Sequence, residues 1–291
     1  MNKIVKGFII AACICIALGF VFFVGAAASG GISGARSILE NGGVIGISLG
    51  SDDFKEWNSA SEHTISLVGM NKPNLELELG AGEFEIRESE TEDIVVKSKK
   101  KIEVSSYGDT ISVRTKKHYV FFGFIGNNHN EVTIEVPRGT KFNEIDMEVG
   151  AGELNCPSIA AEKLNIELGA GRITIDDYTC NEANIYVGAG EVIAGKGTVV
   201  NMDAEVGMGS LTFAGSIAQN LNVDCGMGNV QMDLKGSEED YNYRIECGMG
   251  NVTVGSSSYG GVACEKNIDN GSAYDFDLDC GMGNVEIMFS N

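Results

Sequence analysis

Along most of the chain, apolar and polar residues alternate with a period of two and change phase at a recurring Gly-x-Gly. Around Gly169 the apolar residues are Leu164, Ile166 and Leu168 on one side and Ile173 and Ile175 on the other. Alternation of period two predicts a strand with one buried face. The phase passes from odd to even across the glycines, so each Gly-x-Gly predicts a corner, with glycine supplying the positive φ or bulged backbone that such a corner uses. The corner glycines are Gly80 and Gly82, Gly150 and Gly152, Gly169 and Gly171, Gly188 and Gly190, Gly207 and Gly209, Gly226 and Gly228, Gly248 and Gly250, and Gly281 and Gly283. From Gly150 to Gly226 the spacing is 19 residues four times running. A fixed period near 20 is the signature of a solenoid whose coils bury their apolar face only by stacking. The predicted fold is therefore all-β, a parallel β-solenoid with coils of about 19 residues stacked at about 4.8 Å.

Stacking aligns equivalent positions into columns. The position before each corner reads Leu79, Val149, Leu168, Val187, Val206, Cys225, Cys247 and Cys280. Cysteine stands where Leu and Val stand elsewhere, which predicts a small buried apolar residue, and Cys156 also falls on an inward position. Met227, Met249 and Met282 accompany the three corner cysteines, so a thiolate and thioether set for Cu(I) is an alternative. Met208 without a cysteine, and Ala in the earlier corners, argue for packing instead. A phosphate cradle is excluded, because a strand rather than a helix follows every Gly-x-Gly and no Gly-Lys-Ser/Thr is present.

Two residues before the corners, on the outward face, stand Glu78, Glu148, Glu167, Tyr186, Glu205, Asp224, Glu246 and Asp279. Stacked carboxylates repel, so this ladder is expected to be solvated, screened by cations or met by a basic partner. A second outward column ends in Asn229, Asn251 and Asn284, whose amides can bond along the stack. Between Gly80 and Gly150 the rhythm breaks. Residues 97 to 118 carry Lys97, Lys99, Lys100, Lys101, Arg114, Lys116 and Lys117 against Glu103 and Asp109, a basic island beside the apolar run Tyr119 to Ile125. The island is a candidate contact for anionic lipid headgroups or acidic wall polymers. Further on, the Gly/Ser-rich stretch 255–275 reads as a loop extruded from the stack, and the coil at Gly281 as an open end able to pair with another copy.

Charge and cysteine content then bound the setting. The 291 residues carry 21 basic and 41 acidic side chains, and a net charge of −20 excludes nucleic acid as a partner. Residues 7–28 are uncharged and follow Lys3 and Lys6, which predicts a membrane-spanning helix with a cytoplasmic tail at 1–6 and the rest of the chain outside the cell. A cleaved signal peptide is the alternative, given the small residues of Gly25–Gly30. Residues 29–71 read as a juxtamembrane linker and 72–291 as the solenoid domain. Six cysteines outside the anchor would permit disulfides in an exported domain, but the inward positions of Cys156, Cys225, Cys247 and Cys280 favour packing for these four.

The string "VTIEVPRGTKFNEIDMEVGAGELN" followed by "LNIELGAGRITI" resembles the bacterial putative adhesin family, over roughly residues 72 to 291. The resemblance implies a surface-exposed β-solenoid of the cell envelope, often membrane-anchored, in some members tied to envelope stress, and it brings no catalytic residues. No cofactor is expected. The three histidines, His63, His118 and His129, lack Cys or carboxylate neighbours at metal-site spacing. The sequence therefore predicts a non-catalytic binding or structural module of the envelope. A glycan-active enzyme using the acidic ladder is the alternative of another class.

Overall fold

The computed structural model of the chain describes residues 60–115 and 130–290. These form twenty strands in one hydrogen-bonded sheet, with a single 3-10 turn at Glu238–Asp240. The segment 7–28 lies outside the described residues, and among those described no helix is long and apolar enough to cross a membrane.

The central coils follow the period read from the sequence. Three 16-residue strands, Glu153–Leu168, Arg172–Val187 and Glu191–Val206, each run from one corner to the next and pair in parallel, residue i with residue i+19. The inward columns are accordingly columns of like side chains. Leu154, Ile173, Val192, Leu211, Val230, Val285 and Val252 succeed one another across neighbouring strands, all essentially without solvent contact. Full burial of each such side chain contributes about 1.5–3 kcal/mol relative to exposure. The largest interior group, Tyr178, lies edge-on to Phe213 with ring centroids 6.1 Å apart. Gly197 makes room for it, since a Cβ there would stand 2.6 Å from the Tyr178 ring.

The corners are tighter than the sequence suggests. Gly82 and Gly171 are the corner glycines with positive φ, so left-handed backbone is not the general reason for glycine. The general reason is close approach. Each corner hydrogen-bonds to the one beneath it, as in Gly188 N–H to Leu168 O and Ala189 N–H to Gly169 O, both 2.8 Å. At that distance a Cβ on Gly228 would lie 2.3 Å from the Gly209 carbonyl oxygen and 2.7 Å from Val206 Cγ1.

Chain order and spatial order part at both ends. The coil at Gly281 is not the open end. Its strands Asp275–Cys280 and Asn284–Ser290 insert in parallel between the Gly226 coil and the Gly248 coil. The stretch 255–275 is not extruded either: Ser257–Gly260 and Cys264–Ile268 pair antiparallel with Asn251–Val254 and Asn242–Cys247, covering the terminal coil. Tyr241, stacked on Phe276 at 4.0 Å and donating its hydroxyl to Ile217 O at 2.6 Å, pins the excursion to the core.

At the other end, Thr110–Arg114 and Asn130–Pro137 form a further coil outside the Gly80 coil. Antiparallel strands Glu103–Tyr107 and Ile94–Ser98 cover that coil. The sheet begins ahead of residue 72, because Ser61–Ile65 pairs with Ile94–Ser98, so residues 61–65 are strand rather than linker.

Close stacking makes a sharp prediction about glycines. Gly228→Ala should destabilise the fold by about 3 kcal/mol, because backbone of the neighbouring coil must move. Gly139→Ala, at φ +78 but with nothing within 4 Å of the added Cβ, should cost only about 1 kcal/mol of backbone strain. Chemical denaturation of the two variants measures the difference, and equal losses would rule out close approach as the reason for glycine.

Candidate functional site

The corners place two outward columns side by side. The ladder two residues before each corner runs, in spatial order, Arg114, Glu78, Glu148, Glu167, Tyr186, Glu205, Asp224, Asp279 and Glu246. Beside it, four residues before each corner, lies a column that the sequence reading passed over: Glu76, Asp146, Asn165, Asn184, Asp203, Asn222, Asp277 and Arg244. Asn at −4 in three corners was the available signal.

The second column explains how the first is tolerated. Its amides bond along the stack, Asn184 Nδ2 to Asn165 Oδ1 at 2.8 Å and Asn222 Nδ2 to Asp203 Oδ1 at 3.1 Å, while Asn165 donates to both Asp146 and Glu144. These amides donate to Glu144, Asp146 and Asp203, carboxylates that lie beside the ladder, and so temper the negative charge it faces. Arginines close both ends. Arg114 lies 3.0 Å from Glu78, and Arg244 lies 3.0 Å from Glu246 and 3.7 Å from Asp277.

Between the residues paired with these arginines the two columns hold Glu148, Glu167, Glu205, Asp224, Asp279, Asp146 and Asp203 and no Lys or Arg. There the surface is concave, an open groove of about 480 Å³ lined by Asp146, Glu148, Asn165, Glu167, Tyr186 and Glu205 among others. Tyr186, 43% exposed, gives the groove an aromatic ring. Glu205 has its pKa raised, first by partial burial and then by Asp224 and Asp203. The groove suits a cationic group, held by several carboxylates and, over Tyr186, by a ring face.

The other candidates fare differently. In the basic island, Lys97 pairs with Glu135 at 2.6 Å, Lys99 with Glu131, and Arg114 belongs to the ladder itself. Lys100 and Lys101 also have partners, and Lys116, Lys117 and the apolar run 119–125 lie outside the described residues. Cys156, Cys225, Cys247 and Cys280 are buried, as their Leu and Val counterparts are. Burial pushes Cys156 and Cys180 up to about 12, which keeps them neutral thiols.

The corner methionines turn outward instead, with Met208, Met227, Met249 and Met282 between 38% and 67% exposed. The Cys and Met sulfurs therefore occupy opposite sides of the sheet, and the mixed Cu(I) ligand set does not converge. Among the described residues no group of three His, Cys, Asp or Glu side chains is disposed to hold a metal ion. The Asn column is present in part, Asn284 donating to Asn229 at 3.2 Å, whereas Asn251 bonds to Thr253 and Ser258.

The fold and its ladders define a stacked-coil, all-β repeat domain. Residues 73–273 match the model of the family described as Toastrack DUF4097, and the chain belongs to that family. The match ends before the strands that insert between the Gly226 and Gly248 coils. None of the curated proteins matches the chain. Among solved structures it is similar to a putative adhesin from Bacteroides fragilis, at 15% identity over 80% of this chain and 99% of that one with a TM-score of 0.44. It is also similar to a putative lipid binding protein from Parabacteroides distasonis, at 15% identity over 80% and 97% with a TM-score of 0.41. A putative cell adhesion protein from Clostridium sporogenes gives 15% identity over 80% and 99% with a TM-score of 0.31.

The raised pKa of Glu205 has a consequence for stability. Above its ordinary value of 4.5 the folded state binds more protons at this carboxyl than the unfolded state, so stability falls as pH rises through the folded value. Glu205→Gln should raise Tm by about 2 °C at pH 7 and change it little below about pH 4, where both side chains are neutral. Thermal unfolding at the two pH values checks this, and a loss of Tm at pH 7 would contradict it.

Proposed function

We propose that this chain is a non-catalytic binding module of the cell envelope, anchored through residues 7–28 with its repeat domain outside the cell, and that the acidic groove is its contact surface. The observation that carries the reading is the concentration of carboxylates and one exposed tyrosine in a concave stretch in the middle of a ladder whose two ends carry Arg114 and Arg244. A partner for this surface presents positive charge, as a basic peptide segment or a polyamine does. Charge complementarity of this kind governs encounter and selection more than final affinity, so binding would be fast and salt-sensitive. Ion pairing within the basic island favours the acidic face over the island as the surface a partner meets.

The full-length chain in detergent micelles, titrated with an oligolysine peptide over a salt series, tests the reading. Binding should weaken steeply with salt, and a Glu167→Gln, Asp203→Asn, Glu205→Gln variant should bind about tenfold or more weakly. A Lys100→Gln, Lys101→Gln variant should bind as the parent does. Undiminished oligolysine binding by the acidic-face variant would overturn the groove as the contact surface, and salt-sensitive binding to anionic vesicles lost in the lysine variant would shift it to the basic island. Release of reducing ends from cell-wall polymer would instead favour the glycan-active alternative.

A further inference from the structure

The terminal coils bring four cysteines into one file. Across adjacent strands the column before the corner runs Cys225, Cys280, Cys247 and then Cys264, and all four are free thiols. The contacts within this file differ in kind. Cys225, Cys280 and Cys247 lie on parallel strands and are buried, while Cys264 lies on the antiparallel covering strand Cys264–Ile268 and is partly exposed.

The register of the antiparallel pair is informative. Asn242 N–H bonds to Tyr274 O and Gly248 N–H to Cys280 O across the parallel pair, so the even-numbered residues of Asn242–Cys247 face that neighbour and Cys247 directs its N–H and C=O toward Cys264–Ile268. Cys247 and Cys264, directly opposite each other, therefore form a hydrogen-bonded pair of the antiparallel ladder. Cα atoms in such pairs are about 5.5 Å apart, inside the range a disulfide spans. Cys247 Sγ meets Tyr259 O, on the other covering strand, at 3.4 Å. Ala263, at φ +56, is the one non-glycine residue with positive φ among the described residues. The chain thus bends through the left-handed region immediately before it sets Cys264 opposite Cys247.

We infer that Cys247 and Cys264 are a redox-reactive dithiol that closes to a disulfide by exchange with an external disulfide and so latches the covering strands onto the terminal coil. Cys264, the accessible member, loses its proton to solvent and its thiolate attacks one sulfur of the external disulfide, whose S–S bond breaks and releases one thiolate. Cys247 then loses its proton and attacks Cys264 Sγ, and the mixed disulfide breaks to release the second thiolate. The dithiol is oxidised by two electrons, the external disulfide is reduced to two thiolates, and these take back from solvent the two protons that the dithiol lost. Burial raises the Cys247 thiol to about 11, which sets it second in this order.

The full-length chain, reduced, desalted in detergent and incubated with oxidised glutathione, provides the test. Trypsin yields the peptide 245–266, which carries both cysteines. The inference expects that peptide two hydrogens lighter and closed to alkylation, and a further cut after Tyr259 should leave two halves joined until reductant is added. Cys247→Ala should stop at a mixed disulfide on Cys264, and Cys264→Ser should leave Cys247 unmodified. Protease cleavage within 255–275 should be about tenfold slower in the oxidised parent than in Cys264→Ser. Two alkylatable thiols after oxidation, or a bond between Cys225 and Cys280 instead, would overturn the pairing. Equal cleavage rates would overturn the latch.

Discussion

The fold depends on one constraint: successive corners sit in backbone contact, carbonyl to N–H, with no space for a side chain between them. Gly209 and Gly228 show it most plainly, where a single Cβ would collide with the oxygen below. Once the corners are locked at the interstrand spacing, every other position of the coil is aligned with its counterpart 19 residues away. Buried positions then become columns of aliphatic side chains, and outward positions become ladders of like polar groups. The core and the acidic face are two results of the same register.

A stack of parallel coils leaves two open edges, which are sites of unwanted pairing. This chain resolves both in the same way. A coil distant in sequence lies between two that follow one another in the chain, the Gly80 coil inside Thr110–Arg114 and Asn130–Pro137 at one end and the Gly281 coil inside the Gly248 coil at the other, and short antiparallel strands then cover the outermost coil. Antiparallel cover ends the parallel series, because the next strand would have to pair with an edge of opposite direction. The aromatic cluster of Tyr241, Tyr243 and Phe276 supplies the apolar contact that the Gly/Ser-rich excursion lacks.

A ladder of carboxylates spaced at strand separation would oppose the stacking that creates it. Two features offset this: an adjacent column with Asn amides directed at carboxylates and at one another, and arginines at the two ends. What remains in the middle is a groove in which Glu205 holds its proton more tightly than an ordinary carboxyl. Negative charge concentrated in this way is costly to the fold, and a binding role for the groove gives that cost a use.

The sequence by itself determined the coil. Period-two alternation, the phase change at Gly-x-Gly and the 19-residue spacing are local patterns, and they placed Cys156, Cys225, Cys247 and Cys280 in the core and Glu78 to Asp279 on one outward face. The order of the coils was decided only by tertiary structure. A strand pairs with whichever edge its apolar face and register fit best, regardless of chain distance, so the Gly281 coil lies inside the Gly248 coil and Cys264 comes to face Cys247. Tertiary structure also supplied the reason for the glycines, because close approach is a property of two neighbouring coils and leaves no mark within either one.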